Sequence, residues 1–180
     1  MFKNPTYIVF DVNGKIADKI RFIRQQLDPE RADLNIEISV SGSNGLGFIK
    51  PSQNFDIIRH ELDNICQQIS PFWCNFGKIK KFVNTEIYYL SIKNKQPFFE
   101  VIELLKNSRI EFLPTPFEYE PHCTLTLPNT NTVTCIKGQE QYISSIKIPE
   151  ERFLVTSLAL YEEIKPSTFT TIFRKKLGLR

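Results

Sequence analysis

At 180 residues, 41% apolar and 24% charged, the chain is long enough to bury a core and too apolar to be disordered. Twenty-three basic against 20 acidic residues leave a net charge of +3, which permits a polyanionic ligand without requiring one. No apolar run reaches the roughly 18 residues of a membrane span. The opening MFKNPTYIVFDVNGK lacks the basic start, apolar stretch and small-residue cleavage site of a secretory leader. A cytoplasmic protein with no membrane role is expected.

In chain order, TYIVFDVNGK is a β-branched and aromatic run closed by Asn13-Gly14, a strand ending in a turn. The next segment carries Ile16, Ile20, Ile23 and Leu27 at the four-three-four spacing of one helix face. In LNIEISVS, Leu34, Ile36, Ile38 and Val40 alternate with Asn35, Glu37, Ser39 and Ser41, a strand with one apolar and one polar face. A helix over NFDIIRHELDNICQQIS and a strand around FWCNF complete the first half. The second half repeats this grammar. EIYYLSI is a strand and PFFEVIELLKN a helix with proline near its start. EPHCTLTLP is a strand in which Cys123, Leu125 and Leu127 alternate with His122, Thr124 and Thr126. A polar helix near 135–145 and strands over RFLVTSLALYEE and FTTIFRK follow. The four cysteines, Cys66, Cys74, Cys123 and Cys135, form no C-x-x-C pair and no zinc-ligand spacing, so they read as reduced thiols.

Each half therefore runs strand, helix, polar-faced strand, helix, strand, and no proline- or glycine-rich linker divides them. The expectation is one bilobal domain over 1–180 with pseudo-twofold symmetry. Lobe 1 covers about 1–80 and lobe 2 about 84–165, with a strand at about 168–174 closing the fold. H-C-T-L-T at 122–126 and E-I-S-V-S at 37–41 stand 85 positions apart (122 minus 37). Each presents a titratable side chain and then two hydroxyls at alternate positions. Across a twofold axis they would place an acid/base pair and two to four hydroxyls around one groove.

With these motifs the sequence resembles the two-histidine phosphoesterase superfamily, which includes the 2′,5′ RNA ligase-like proteins and cyclic nucleotide phosphodiesterases. PHCTL matches the second of that family's two motifs, each a histidine, any residue, then threonine or serine. The order of elements matches from about Tyr7 to Phe173. The resemblance implies an α+β fold, with two mainly antiparallel sheets facing a central groove and helices outside. It implies a metal-independent, cofactor-free phosphoesterase acting on 2′,3′-cyclic phosphates or 2′,5′-phosphodiester bonds. A nucleotide or RNA end would be the ligand and a monomer the working form. In the family one histidine is general base and the other general acid, and the two hydroxyls hold the phosphate. That assigns His122, Thr124 and Ser39, histidine being suited because it titrates near neutrality.

Glu37 stands where the first motif histidine belongs. His60, the only other histidine, reads as a solvated position on the helix of FDIIRHELDNI. Glu37 as base and His122 as acid is a coherent pair, the carboxylate favouring protonation of the imidazole. A carboxylate about 4 Å from a phosphate nevertheless costs roughly 4 kcal/mol at an effective dielectric near 20, nearly three powers of ten in binding. Candidate offsetting cations are Lys78, Lys80 and Lys81, and Arg174, Lys175 and Lys176. The alternative is a relative that binds a nucleotide or RNA end without turning it over. Trp73 and Tyr119 are candidates to stack on a base.

Overall fold

The computed structural model describes residues 2–127, 139–165 and 168–178. In chain order its elements are β1 (Thr6–Asp11), α1 (Lys15–Leu27), a 3-10 turn (Pro29–Arg31), β2 (Glu37–Ser39), α2 (Phe55–Gln68), β3 (Phe72–Cys74), β4 (Phe76–Lys81), β5 (Tyr88–Ile92), α3 (Gln96–Lys106), β6 (His122–Thr124), α4 (Gln139–Ser145), β7 (Phe153–Val155), β8 (Ser157–Lys165) and β9 (Thr168–Lys176). The polar helix expected near 135–145 is present as α4, while residues 135–138, Cys135 among them, lie outside the described residues.

The fold is α+β with antiparallel pairing between all strand partners. One sheet runs β2-β1-β8-β9 and a second runs β4-β5-β6, with a two-stranded ribbon of β3 and β7 as the third. The sheets interleave the two halves of the sequence. β4, read with the first half, forms the far edge of the second sheet, and β8 and β9 return to the first sheet beside β1. The reason is burial. All six residues of β1 are buried, so both of its edges need partners, and β2 satisfies only one of them.

The helices form as their apolar spacing requires. Ile16, Ala17, Ile20 and Ile23 of α1 are buried, as are Ile58, Leu62, Ile65 and Cys66 of α2 and Phe98, Val101, Ile102 and Leu105 of α3. The Asn54 side chain accepts a hydrogen bond from the Asp56 N–H and starts α2. Phe10, Phe72 and Phe98 meet edge to face at centroid distances of 5.3–5.6 Å, joining β1, the ribbon and α3 in one core. Cys66, Cys74 and Cys123 are free thiols in that core, and burial pushes Cys66 and Cys74 up to about 12. Among the described residues no helix is long and apolar enough to cross a membrane.

The internal repeat extends to single hydrogen bonds. β2 pairs with β1 as Val9↔Ser39 and Asp11↔Glu37, and β6 pairs with β5 as Tyr89↔Thr124 and Ser91↔His122. Just past each motif the alternation breaks in the same way. Val40 and Ser41 both donate to the Ile8 carbonyl, and Leu125 and Thr126 both donate to the Tyr88 carbonyl. This bulge turns the last hydroxyl inward. Ser41 Oγ accepts from the Ile8 N–H at 2.8 Å and Thr126 Oγ1 accepts from the Tyr88 N–H at 2.9 Å. Ser41 and Thr126 are buried ties within their sheets, so each motif offers the groove one hydroxyl and not two.

Candidate active site

β2 and β6 are the edge strands of the two main sheets and lie against one another. In each, the middle residue faces the core: Ile38 and Cys123 are fully buried there. Strand alternation puts Glu37 and Ser39, and likewise His122 and Thr124, on the opposite faces. The four predicted site residues thus sit on two adjacent strands.

Unpaired backbone on an edge strand must find partners elsewhere. Here each edge is served by a side chain from the other half of the chain. Arg24 of α1 donates to the Thr124 carbonyl through Nε at 3.0 Å and Nη2 at 2.8 Å. Its Nη1 holds the approach to β2 through the carbonyls of Asn35 at 3.1 Å and Leu34 at 3.4 Å. In return, the Tyr119 hydroxyl donates to the Ser39 carbonyl at 3.2 Å. Ser39 and Thr124 occupy equivalent motif positions, so the seam is fastened reciprocally. Tyr119 is committed there and is not a free stacking surface.

His122 is 4% exposed, with Phe82 and Tyr89 meeting its ring edge to face at 5.0 and 5.2 Å. Its Nδ1 lies 2.6 Å from the Glu120 carbonyl oxygen. A carbonyl can only accept, so Nδ1 carries the proton and Nε2 of the neutral ring is the free lone pair. Burial lowers the imidazole from its ordinary value, and the Glu120 hydrogen bond and charge only partly restore it. The charge acting on His122 is that of Glu120, itself paired to Lys95 at 2.6 Å. Glu37 has other neighbours.

Those neighbours are Arg24, Arg31 and Asp11. Burial pushes the Glu37 carboxyl above its usual range, Arg24 and Arg31 pull it back, and Asp11 adds to the rise. Asp11, opposite Glu37 in the ladder, accepts from the Tyr161 hydroxyl at 2.5 Å and from Arg174 Nε at 2.8 Å. Arg31 is 7% exposed, and its Nε and Nη1 have no hydrogen-bond partner among the described residues. A buried guanidinium with open donors calls for an anion.

The sequence reading missed Arg24 and Arg31 as the cations beside Glu37. Arg24 could have been found: it is four residues from Ile20 on the apolar face of α1, where a charge needs a reason. Of the cations it did name, Arg174 reaches the site through Asp11. Lys80 faces Tyr89 in the ladder, on the same side of the sheet as Thr124. Lys81 pairs with Glu86 and Lys175 with Asp63, away from Glu37. His60 is exposed on α2 beside Asn64.

The chain's two histidines make His122 measurable by proton NMR titration. Its midpoint is expected below about 6.5. Between that midpoint and 6.5 the folded protein binds fewer protons than the unfolded chain, so stability falls as pH falls through this window. Glu37 acts oppositely: its raised value gives stability that is present in acid and lost as pH rises through it. Phe82→Ala opens the ring to water and should move the His122 midpoint up. A wild-type midpoint at or above 6.5 would contradict the neutral-imidazole reading.

Two antiparallel sheets meeting at duplicated motif strands, with one buried histidine and a hydroxyl residue on each strand, define a protein of the two-histidine phosphoesterase class. The chain belongs to the 2′-5′ RNA ligase superfamily, whose family model matches residues 44–165, about two thirds of its length. The match contains His122 and Thr124 and begins after Glu37 and Ser39. No curated protein matches the sequence. Among solved structures, apo LigT of E. coli is similar at 18% identity and TM-score 0.62, covering 97% of this chain and 98% of that one. LigT complexed with 3′-AMP is similar at 15% identity and TM-score 0.63, with the same coverage. TT0787 of Thermus thermophilus is similar at 12% identity and TM-score 0.64, covering 98% and 99%. These likenesses establish the fold.

Proposed function

We propose that the protein opens 2′,3′-cyclic phosphates, or cleaves 2′,5′-phosphodiester bonds, of RNA or nucleotides without a metal. His122 is the general base and Glu37 the general acid. The observation that carries this reading is the His122 tautomer: Nδ1–H is committed to Glu120, which leaves Nε2 free to take a proton. The roles are the reverse of the pairing expected from sequence, because burial favours the neutral form of both groups. Water gives its proton to Nε2 as its oxygen bonds to phosphorus. The ribose oxygen departs with the Glu37 proton, leaving a phosphomonoester. A protonated Glu37 also lacks the charge that would repel phosphate. The Thr124 and Ser39 hydroxyls and the open donors of Arg31 are suited to the phosphoryl oxygens as charge gathers there. Family membership and the complex of LigT with 3′-AMP support a nucleotide or RNA end as the ligand.

The acid role has its own test. Glu37→Gln should abolish turnover of a nucleoside 2′,3′-cyclic phosphate yet largely spare a p-nitrophenyl phosphodiester, whose leaving group needs no proton. Equal loss on both substrates would remove Glu37 from the acid role. The second reading, binding without turnover, is favoured by Arg24 and Arg31 flanking Glu37, which can hold it as a structural ion. A silent wild type that gains turnover on Glu37→His would establish that reading.

A further inference from the structure

Away from the motif strands, the first turn of α1 and the β3–β7 ribbon enclose a cleft of about 360 Å³. Trp73, the chain's single tryptophan, is 52% exposed in its wall. The Arg152 guanidinium lies over the indole at 4.8 Å from the ring centre. Leu154, opposite Trp73 in the ribbon, is 43% exposed in the same wall. Lys15, Lys19 and Arg152 contribute three positive charges to the lining against the single carboxylate of Glu151, which is paired to Lys19. Lys15 and Arg152 have no carboxylate partner among the described residues. An exposed indole is expensive surface to leave wet, and this one shares its cleft with two such cations, Lys15 and Arg152.

We propose that this cleft is a second nucleotide subsite, in which single-stranded RNA stacks a base on Trp73 and sets its phosphates against Lys15 and Arg152. The inference rests on the groove accepting an RNA end, and it makes the substrate class a strand and not a mononucleotide. Flat indole plus guanidinium matches a base plane, and the charge excess matches a phosphodiester backbone. A protein segment would need a longer apolar groove or an acidic character, and the base–phosphate pairing of an RNA strand fits the short mixed surface better. The placement suits one strand spanning both sites. Asn13 in the cleft is two residues beyond Asp11, the cross-strand partner of Glu37.

Because Trp73 is the only tryptophan, intrinsic fluorescence reads this cleft directly. The 180-residue chain is titrated with single-stranded octa-adenylate in low salt, with a duplex of the same length as control. Saturable quenching is expected, weakening as salt rises. Lys15→Glu and Arg152→Glu, both at exposed positions, should each weaken binding by about tenfold or more, and the duplex should bind less well. No quenching by the single strand, quenching that survives both charge reversals, or equal binding of the duplex would each overturn the proposal. Turnover of a cyclic mononucleotide, which calls on the groove alone, is measured separately. Its absence with quenching intact would count against the groove reading alone, and its presence without quenching against the cleft alone.

Discussion

His122→Ala is expected to reduce kcat by about 10²–10⁴, the usual contribution of a positioned acid/base group. The loss should appear in kcat more than in KM, because in the proposed mechanism the imidazole acts on the attacking water while the hydroxyls and Arg31 hold the phosphate. Truncation also empties the space beside the stacked Phe82 and Tyr89 rings, so the variant's thermal midpoint must be measured beside its activity. His122→Asn is a useful companion, since it keeps a donor near Glu120 but has no basic nitrogen. It should be as inactive as the alanine variant. Added imidazole, small enough to fill the vacated space, should restore part of the alanine variant's turnover. Retention of wild-type turnover by either variant would take His122 out of the reaction.

Arg24→Met should destabilise the protein by about 3–5 kcal/mol, the cost typical of breaking a buried charged network. The guanidinium is fully buried, and it supplies the carbonyls of Thr124, Asn35 and Leu34 from a single fork. Methionine fills much of the volume but donates nothing, so at least two buried carbonyls lose their partners at about 1–3 kcal/mol each. For a chain of this length the thermal midpoint should fall by roughly 10 °C or more. Arg24→Lys restores the charge without the fork and should lie between wild type and Arg24→Met. A shift within about 2 °C for Arg24→Met would mean that water replaces the guanidinium, and that the seam between β2 and β6 is held by other contacts.

Much of this architecture was legible because it is periodic. The Ile16–Ile20–Ile23 and Phe98–Val101–Ile102–Leu105 spacings yield helices α1 and α3, and the 85-residue offset between E-I-S and H-C-T coincides with two motif strands in equivalent register. What periodicity cannot carry is pairing between distant segments. That β8 returns to β1 is set by the need to bury both edges of a central strand, and no local pattern encodes it. The bulges at Ser41 and Thr126 were hidden for a related reason: alternation in sequence continues through a point where the backbone does not. At the site, Ser39, His122 and Thr124 were proposed from the motif and Glu37 from the 85-residue repeat. Arg24 and Arg31 did not, since their role depends on burial.

The return of β8 also fixes when the protein can fold. A ribosome delivers β1, α1 and β2 early, yet the second edge of β1 meets its partner only when residues 158–162 emerge. Until then a strand of six residues stands half-paired beside a growing chain, the kind of surface to which other nascent chains and chaperones adhere. A nonsense mutation anywhere before β8 would release a product with this edge bare. Such truncated chains should be cleared or aggregate, and a split version of the protein should assemble only if the piece carrying β8 and β9 is supplied in the same cell.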